Sequence, residues 1–154
     1  MTSMLDEGDR KILRVIQEDA SLPTAAIAEA VGMSVSPCWR RLDRLAKEGI
    51  IRKRVALVDR RSVGLNAQVF AQVKLNAHGR ANLDEFAEAI RRFPEVLECY
   101  VLMGSVDFML RIVTANIEDY ERFFFDSLSK LTGVQEITST VALSEIKSTT
   151  ALPV

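Results

Sequence analysis

From Asp6 to Gly49 the apolar residues recur at helical spacing, whereas from Ala67 onward they mostly alternate in strands separated by two helical stretches. In "DEGDRKILRVIQED" Ile12, Leu13 and Ile16 share one face behind an acidic first turn, where Asp6 is placed to cap free N–H groups. Gly8 is a poor helix former, but its cost is reduced so near the N-terminal end. "PTAAIAEAVG" predicts a second helix, with Pro23 in its first turn, Ile27 and Val31 four apart, and Gly32 supplying the left-handed residue that ends it. After the turn "GMS", Ser34 is placed to cap "VSPCWRRLDRLAKEG", which turns Cys38, Leu42 and Leu45 inward and stops at Gly49. Ser36, Pro37, Arg40, Arg41 and Arg44 are left outside, and Trp39 is expected to pack at the helix edge. "IIRKRVALVD" alternates weakly and predicts a strand or wing beside the helices.

The second half gives strand "AQVFAQVKLN", helix "LDEFAEAIRRF", strands "VLECYVLM" and "DFMLRIVT", helix "IEDYERFFFDSLSKL" with Tyr120, Phe124, Leu128 and Leu131, and strand "VQEITSTVALSEI". This βαββαβ order predicts a ferredoxin-like domain, a four-stranded antiparallel sheet with both helices on one face. The class is therefore α+β: a winged helix-turn-helix domain at 1–58, a linker at 59–66 ("DRRSVGLN"), and a ferredoxin-like domain at 67–154. On the last strand Ile137, Val141 and Leu143 are expected to face the helices. Thr138, Thr140 and Ala142 are left on a small, mildly polar face suited to a second copy of the domain.

The charge sharpens this division. The chain carries −1 overall, but residues 1–66 hold 12 Lys and Arg against 9 Asp and Glu, and the remainder 8 against 12. The positive excess is concentrated in Arg40, Arg41, Arg44, Lys47, Arg52, Lys53, Arg54, Arg60 and Arg61. Two short helices around a Gly-containing turn, the second arginine-rich opposite its core stripe, are what a helix-turn-helix requires for a DNA major groove. Arginine binds guanine or phosphate through a planar fork, and Arg52 and Arg54 are available to backbone phosphates. The expected partner is double-stranded DNA, read by a homodimer whose half-sites lie about 34 Å apart.

No window approaches the roughly 18 apolar residues of a membrane helix, and the acidic, mixed start lacks the pattern of a secretion signal. A cytoplasmic, nucleoid-associated protein is expected. Cys38 and Cys99 lack metal-ligand spacing and His78 has no ligand-type neighbour, so no metal or cofactor is expected and the cysteines read as buried thiols. With no Ser/His/Asp set and no phosphate-cradling loop, the chain does not read as an enzyme. Two alternatives remain open: an architectural DNA-binding protein without an effector, and a regulator sensing oxidation through a thiol.

The segments "LDEGDRKIL", "AEAVGMSVSPCWRRLDRLAKEGII", "VALVDRRSVGL", "MGSVDFMLRI" and "IKSTTALPV", in this order and spacing, closely resemble the Lrp/AsnC, or feast/famine, family of transcription regulators. The departures are Gly8 in place of a common apolar residue, and Trp39 and Arg40 where leucine and an acidic residue can occur. The resemblance implies a DNA-binding domain followed by a RAM-type effector domain, with dimers assembling into octamers or other even-numbered discs that bind amino acids between subunits. Carried onto this chain, it implies DNA contacts from Ser34, Ser36, Pro37, Arg40, Arg41, Arg44, Arg52 and Arg54. It places the effector at Met103, Gly104, Ser105, Val106 and Asp107, with Val101, Ile117, Thr138, Thr140 and Ala142 lining a side-chain pocket. Gly104 would let a ligand reach the backbone, the N–H groups near Ser105 and Val106 would receive a carboxylate, and Asp107 an ammonium. The simpler reading, that Gly104 makes the turn and Asp107 caps it, stands beside this one.

Overall fold

The structure is a computed structural model that describes residues 5–77, 81 and 83–154; His78 lies outside the described residues. The chain forms two compact units. The first runs to Leu57 and also takes in Lys147–Val154, and the second is Val58–Ile146.

The first unit contains α1 (Glu7–Glu18), α2 (Thr24–Val31) and α3 (Val35–Lys47). Asp6 caps α1 in a reciprocal box: its side chain accepts from the Asp9 N–H at 2.8 Å and the Asp9 carboxylate from the Asp6 N–H at 3.2 Å. Gly32 ends α2 with φ 68°, and Gly49 follows α3 with φ 73°. Pro23 sits one position earlier than expected, as the N-cap of α2, and Ser34 occupies the N-cap of α3 without a side-chain cap bond. Ile12, Leu13, Ile16, Ile27, Ala28, Cys38, Leu42 and Leu45 form the core.

Two features of this unit depart from the sequence pattern. Residues 52–59 form no strand, so the expected wing is exposed chain without a ladder partner among the described residues. The final residues belong here rather than to the second domain. Gln17 Nε2 donates to the Leu152 carbonyl at 3.2 Å, its Oε1 accepts from the Leu152 N–H at 2.6 Å, and Arg14 Nε donates to the Val154 carbonyl at 2.6 Å. Val154 also packs on the core of the three helices.

The second unit runs β1 (Ala67–Leu75), α4 (Leu83–Ile90), β2 (Val96–Val101), β3 (Phe108–Thr114), α5 (Ile117–Asp126), a 3-10 turn at Leu128–Lys130, and β4 (Val134–Val141). The sheet order is β2-β3-β1-β4 with antiparallel pairing throughout, as βαββαβ predicts. Val69, Ala71, Val73, Leu75, Phe108, Leu110 and Ile112 meet Phe86, Ile90, Tyr120, Phe123 and Leu128 in one core. The last helix breaks at Ser127 into the 3-10 turn, and Phe123, three positions after Tyr120, is its buried phenylalanine where Phe124 was expected; Phe124 is partly buried against the same core.

Ile137 and Val141 lie opposite core residues Val73 and Val69, as the alternation of β4 requires. Leu143 does not join them: β4 ends at Val141 and Leu143 is 92% exposed. Cys38 is buried as expected, but Cys99 is exposed because β2 is an edge strand. No helix among the described residues is long and apolar enough to cross a membrane.

A candidate nucleic-acid interface and a candidate effector loop

Helix α3 presents its residues differently from the expectation. At about 100° per residue Arg41, three positions after Cys38, lies only about 60° from that core position. Its guanidinium therefore turns toward α1, where Nη1 donates to both Asp6 carboxylate oxygens at 2.7 Å and to Asp9 Oδ1 at 2.8 Å. Arg44 Nη2 donates to both oxygens of Asp9 at 2.6 Å. Asp9 is 1% exposed, whereas the two arginine side chains remain about a third exposed at 31% and 34%.

Gly8 sits close to this cluster: a Cβ there would lie 2.9 Å from the flexible tip of Met33, Cε, and 3.2 Å from Arg41 Cζ. The hydrogen bond from Arg41, followed by the Asp9 N–H, holds the Asp6 carboxyl below its ordinary range. Burial pushes Asp9 up, but hydrogen bonds from Arg44 and then Arg41 outweigh it and leave Asp9 lowered as well. Hydrogen bonds to Asp6 and Asp9 raise Arg41, and the bond to Asp9 raises Arg44.

Arg41 and Arg44, expected to face outward, are thus engaged in holding α3 on α1. Lys47 is also paired, with Asp43 at 2.7 Å. What α3 leaves exposed in its first two turns is Val35, Ser36, Trp39 and Arg40, with Pro37 partly buried and Ser34 exposed just before the helix. Trp39 is 57% exposed rather than packed, which corrects the expectation for that residue. Arg52, Lys53 and Arg54 are exposed on the chain that follows. An open hollow of about 440 Å³ is lined by Asp6, Pro37, Arg40, Arg41 and Arg44.

The second candidate site is the loop from β2 to β3. Val101, Met103, Gly104 and Ser105 are exposed, and Val106 and Asp107 partly buried. The loop is tied to the end of β1: the Asp107 N–H donates to the Val73 carbonyl at 2.9 Å, and Asp107 Oδ2 accepts from the Leu75 N–H at 2.7 Å. The Leu102 N–H closes the hairpin by donating to the Asp107 carbonyl at 2.9 Å. Asp107 thus caps a backbone N–H at the end of neighbouring β1, not one of the turn itself as the simpler reading had it.

Gly104 does not fit that reading. It is not among the glycines with positive φ, and a Cβ there would meet nothing within 4 Å. The turn would accept any small L-residue at this point.

The expected lining residues do not converge within one chain. Val101 lies opposite core residue Phe108 on edge strand β2, while Thr138 and Thr140 pair with Gln72 and Phe70 on the outer face of β4, the opposite edge. Ala142 follows β4 on that same edge, its N–H bonded to the Gln68 carbonyl at 2.9 Å, and Ile117 begins α5 with its side chain exposed. Sequence reasoning missed the Glu98–Arg111 pair at 2.5 Å, which lies in the outer row with Phe70 and Thr140. The bond from Arg111 lowers Glu98 below its usual range. Opposite charges on facing strand positions were its available signal.

Comparisons with known proteins agree with this two-part organisation. Residues 5–52 match a winged helix-turn-helix DNA-binding family, and residues 68–152 match the Lrp/AsnC ligand binding domain. The chain is 36% identical over 151 residues to the DNA-binding transcriptional activator DecR of Escherichia coli K12, covering 98% of this chain and 99% of the relative. It is 37% identical over 154 residues to the transcriptional regulator AzlB of Bacillus subtilis, covering 100% and 98%. Among solved structures, a Neisseria meningitidis transcriptional regulator in complex with L-Met superposes with a TM-score of 0.93 at 39% identity over 97% of both chains. An AsnC family regulator from Agrobacterium tumefaciens gives 0.92 at 40% over the same shares. With both domains matched in order along nearly the full chain, this protein belongs to the Lrp/AsnC family of DNA-binding transcriptional regulators that carry a ligand-binding domain.

Proposed function

We propose that the ligand is a free amino acid, bound at the loop Val101–Asp107 where two protomers meet, and that its binding shifts operator affinity or assembly. Gly104 carries the reading. It is a glycine with no conformational or packing need inside its own chain, in a loop whose Val101, Leu102 and Met103 are exposed apolar residues. A backbone left open at that point admits an α-carboxylate to neighbouring N–H groups. Asp107 Oδ2 already serves Leu75, but a carboxylate has about four lone-pair sites and retains capacity for an ammonium. The complex of the Neisseria meningitidis relative with L-Met supports this ligand class.

The separation of Val101 from Thr138 and Thr140 supports a site completed by a second protomer, since one chain does not bring them together. The outer sheet face, with Phe70, Tyr100, Met109 and the two threonines, is the surface offered for that contact. In this reading the protein works as a homodimer or a larger even-numbered assembly in the cytoplasm. A differential affinity worth about 1–3 kcal/mol between two assembly states is enough for a switch.

The test is a thermal-shift screen of the twenty amino acids, followed by sizing and operator titration with each hit. The expected result is a stabilising amino acid that changes assembly or operator affinity. Tight binding with neither changed would refute the coupling, and no binding by any of them would refute the ligand class.

A further inference from the structure

The first two turns of a recognition helix are the part that meets base edges. In α3 those turns expose Val35, Ser36, Trp39 and Arg40, because Arg41 and Arg44 are turned onto Asp6 and Asp9. Of the four, only Ser36, Trp39 and Arg40 can hydrogen-bond, and Trp39 has a single donor, its Nε1–H. Val35 and Trp39 are large apolar residues that are more than half exposed. Trp39 is 57% exposed, lies outside the core of its unit, and is followed by Arg40 and, beyond the helix, by exposed Arg52, Lys53 and Arg54. The one apolar feature that a major groove offers to such an indole is the thymine 5-methyl group.

We propose that Trp39 is a specificity-determining residue of this regulator, reading the 5-methyl group of a thymine at one fixed position in each half-site. Arg40 and the basic segment at 52–54 set the register by phosphate contact, and the Asp6/Asp9 clamp fixes how far α3 projects.

The test uses the full chain with an operator selected from a random DNA library. Each thymine is replaced in turn by deoxyuridine, which removes only the methyl group. Wild-type protein is expected to lose about three- to fivefold in affinity at one symmetric pair of positions per operator, the size of burying one methyl group. Trp39→Ala should bind the unsubstituted operator more weakly, show no further loss on the deoxyuridine operator, and keep the wild-type salt slope, since no phosphate contact is removed. A flat deoxyuridine scan of the wild type overturns the proposal. So does an equal methyl effect in Trp39→Ala, which would assign the reading to another side chain. A change in oligomeric state of Trp39→Ala, with the methyl effect retained, would place Trp39 in a protein contact instead and likewise overturn it.

Discussion

Replacing Asp9 by asparagine keeps the shape of the α1–α3 joint and removes its charge. The carboxylate is 1% exposed and accepts from Arg41, Arg44 and the Asp6 N–H. Breaking a fully buried charge pair by removing one partner costs about 3–5 kcal/mol, but these guanidinium groups are about one-third exposed and can rehydrate, so roughly 2 kcal/mol is expected for Asp9→Asn. The chain's single tryptophan is Trp39, so urea unfolding followed by its fluorescence reports the first unit alone. The pH dependence carries a sign. Because the folded carboxyl titrates below its ordinary value, the stabilisation is fully present above the unfolded value of about 3.9 and disappears as pH falls through the lower folded one. Wild type and Asp9→Asn should therefore differ by a constant amount at neutral pH and converge only below about pH 4. A difference under about 0.5 kcal/mol at pH 7, or one that persists undiminished to pH 2, would refute the clamp as a stabilising element.

Gly104→Ala should leave thermal stability within about 0.5 kcal/mol of wild type, since the new Cβ meets nothing and the backbone is ordinary, yet weaken the response to the effector found by thermal shift. Asp107→Ala should cost about 1–3 kcal/mol in calorimetry of the second unit, because the N–H of fully buried Leu75 loses its acceptor; effector loss in that variant must be measured below its unfolding temperature. Gln17→Ala removes both bonds to Leu152 and should destabilise the first unit by about 1–2 kcal/mol, with faster hydrogen exchange in α1.

The order of elements was legible because each rests on local periodicity: Ile12, Leu13 and Ile16 at helical spacing, and Val69, Ala71, Val73 and Leu75 in alternation. Gly32 and Gly49 were legible for the same reason, a left-handed residue being needed just past the end of a helix. The direction of Arg41 was half legible. Its angular distance from Cys38 is fixed by the helix, but the acids that draw it in lie 32 and 35 positions away, and no local window contains them. The effector residues scattered for a related reason. Placing Thr138 and Val101 in one pocket required knowing that β4 and β2 are opposite edges, a property of strand order rather than of either strand. The C-terminal docking had no signal at all, since main-chain bonds to Gln17 leave no periodic mark on "TTALPV".

The pairing of Arg41 and the docking of the last residues both fall on α1. A first helix in a helix-turn-helix is usually read as support for the two that meet DNA, and its core stripe of Ile12, Leu13 and Ile16 does that here. Its polar residues do two further things. At the N-terminal end Asp6 and Asp9 hold two arginines of the recognition helix, and farther along Arg14 and Gln17 hold the last residues of the chain. The chain passes from the first unit to the second at Leu57 and returns at Lys147, so the second unit is inserted, in sequence, between the segment that contains α1 and the segment whose last residues bond to it. A fragment ending at Leu57 lacks the contacts that Leu152 and Val154 make with Gln17 and Arg14. Of the basic residues gathered between Arg40 and Arg54, Arg41, Arg44 and Lys47 are paired with Asp6, Asp9 and Asp43, whereas Arg40, Arg52, Lys53 and Arg54 are exposed.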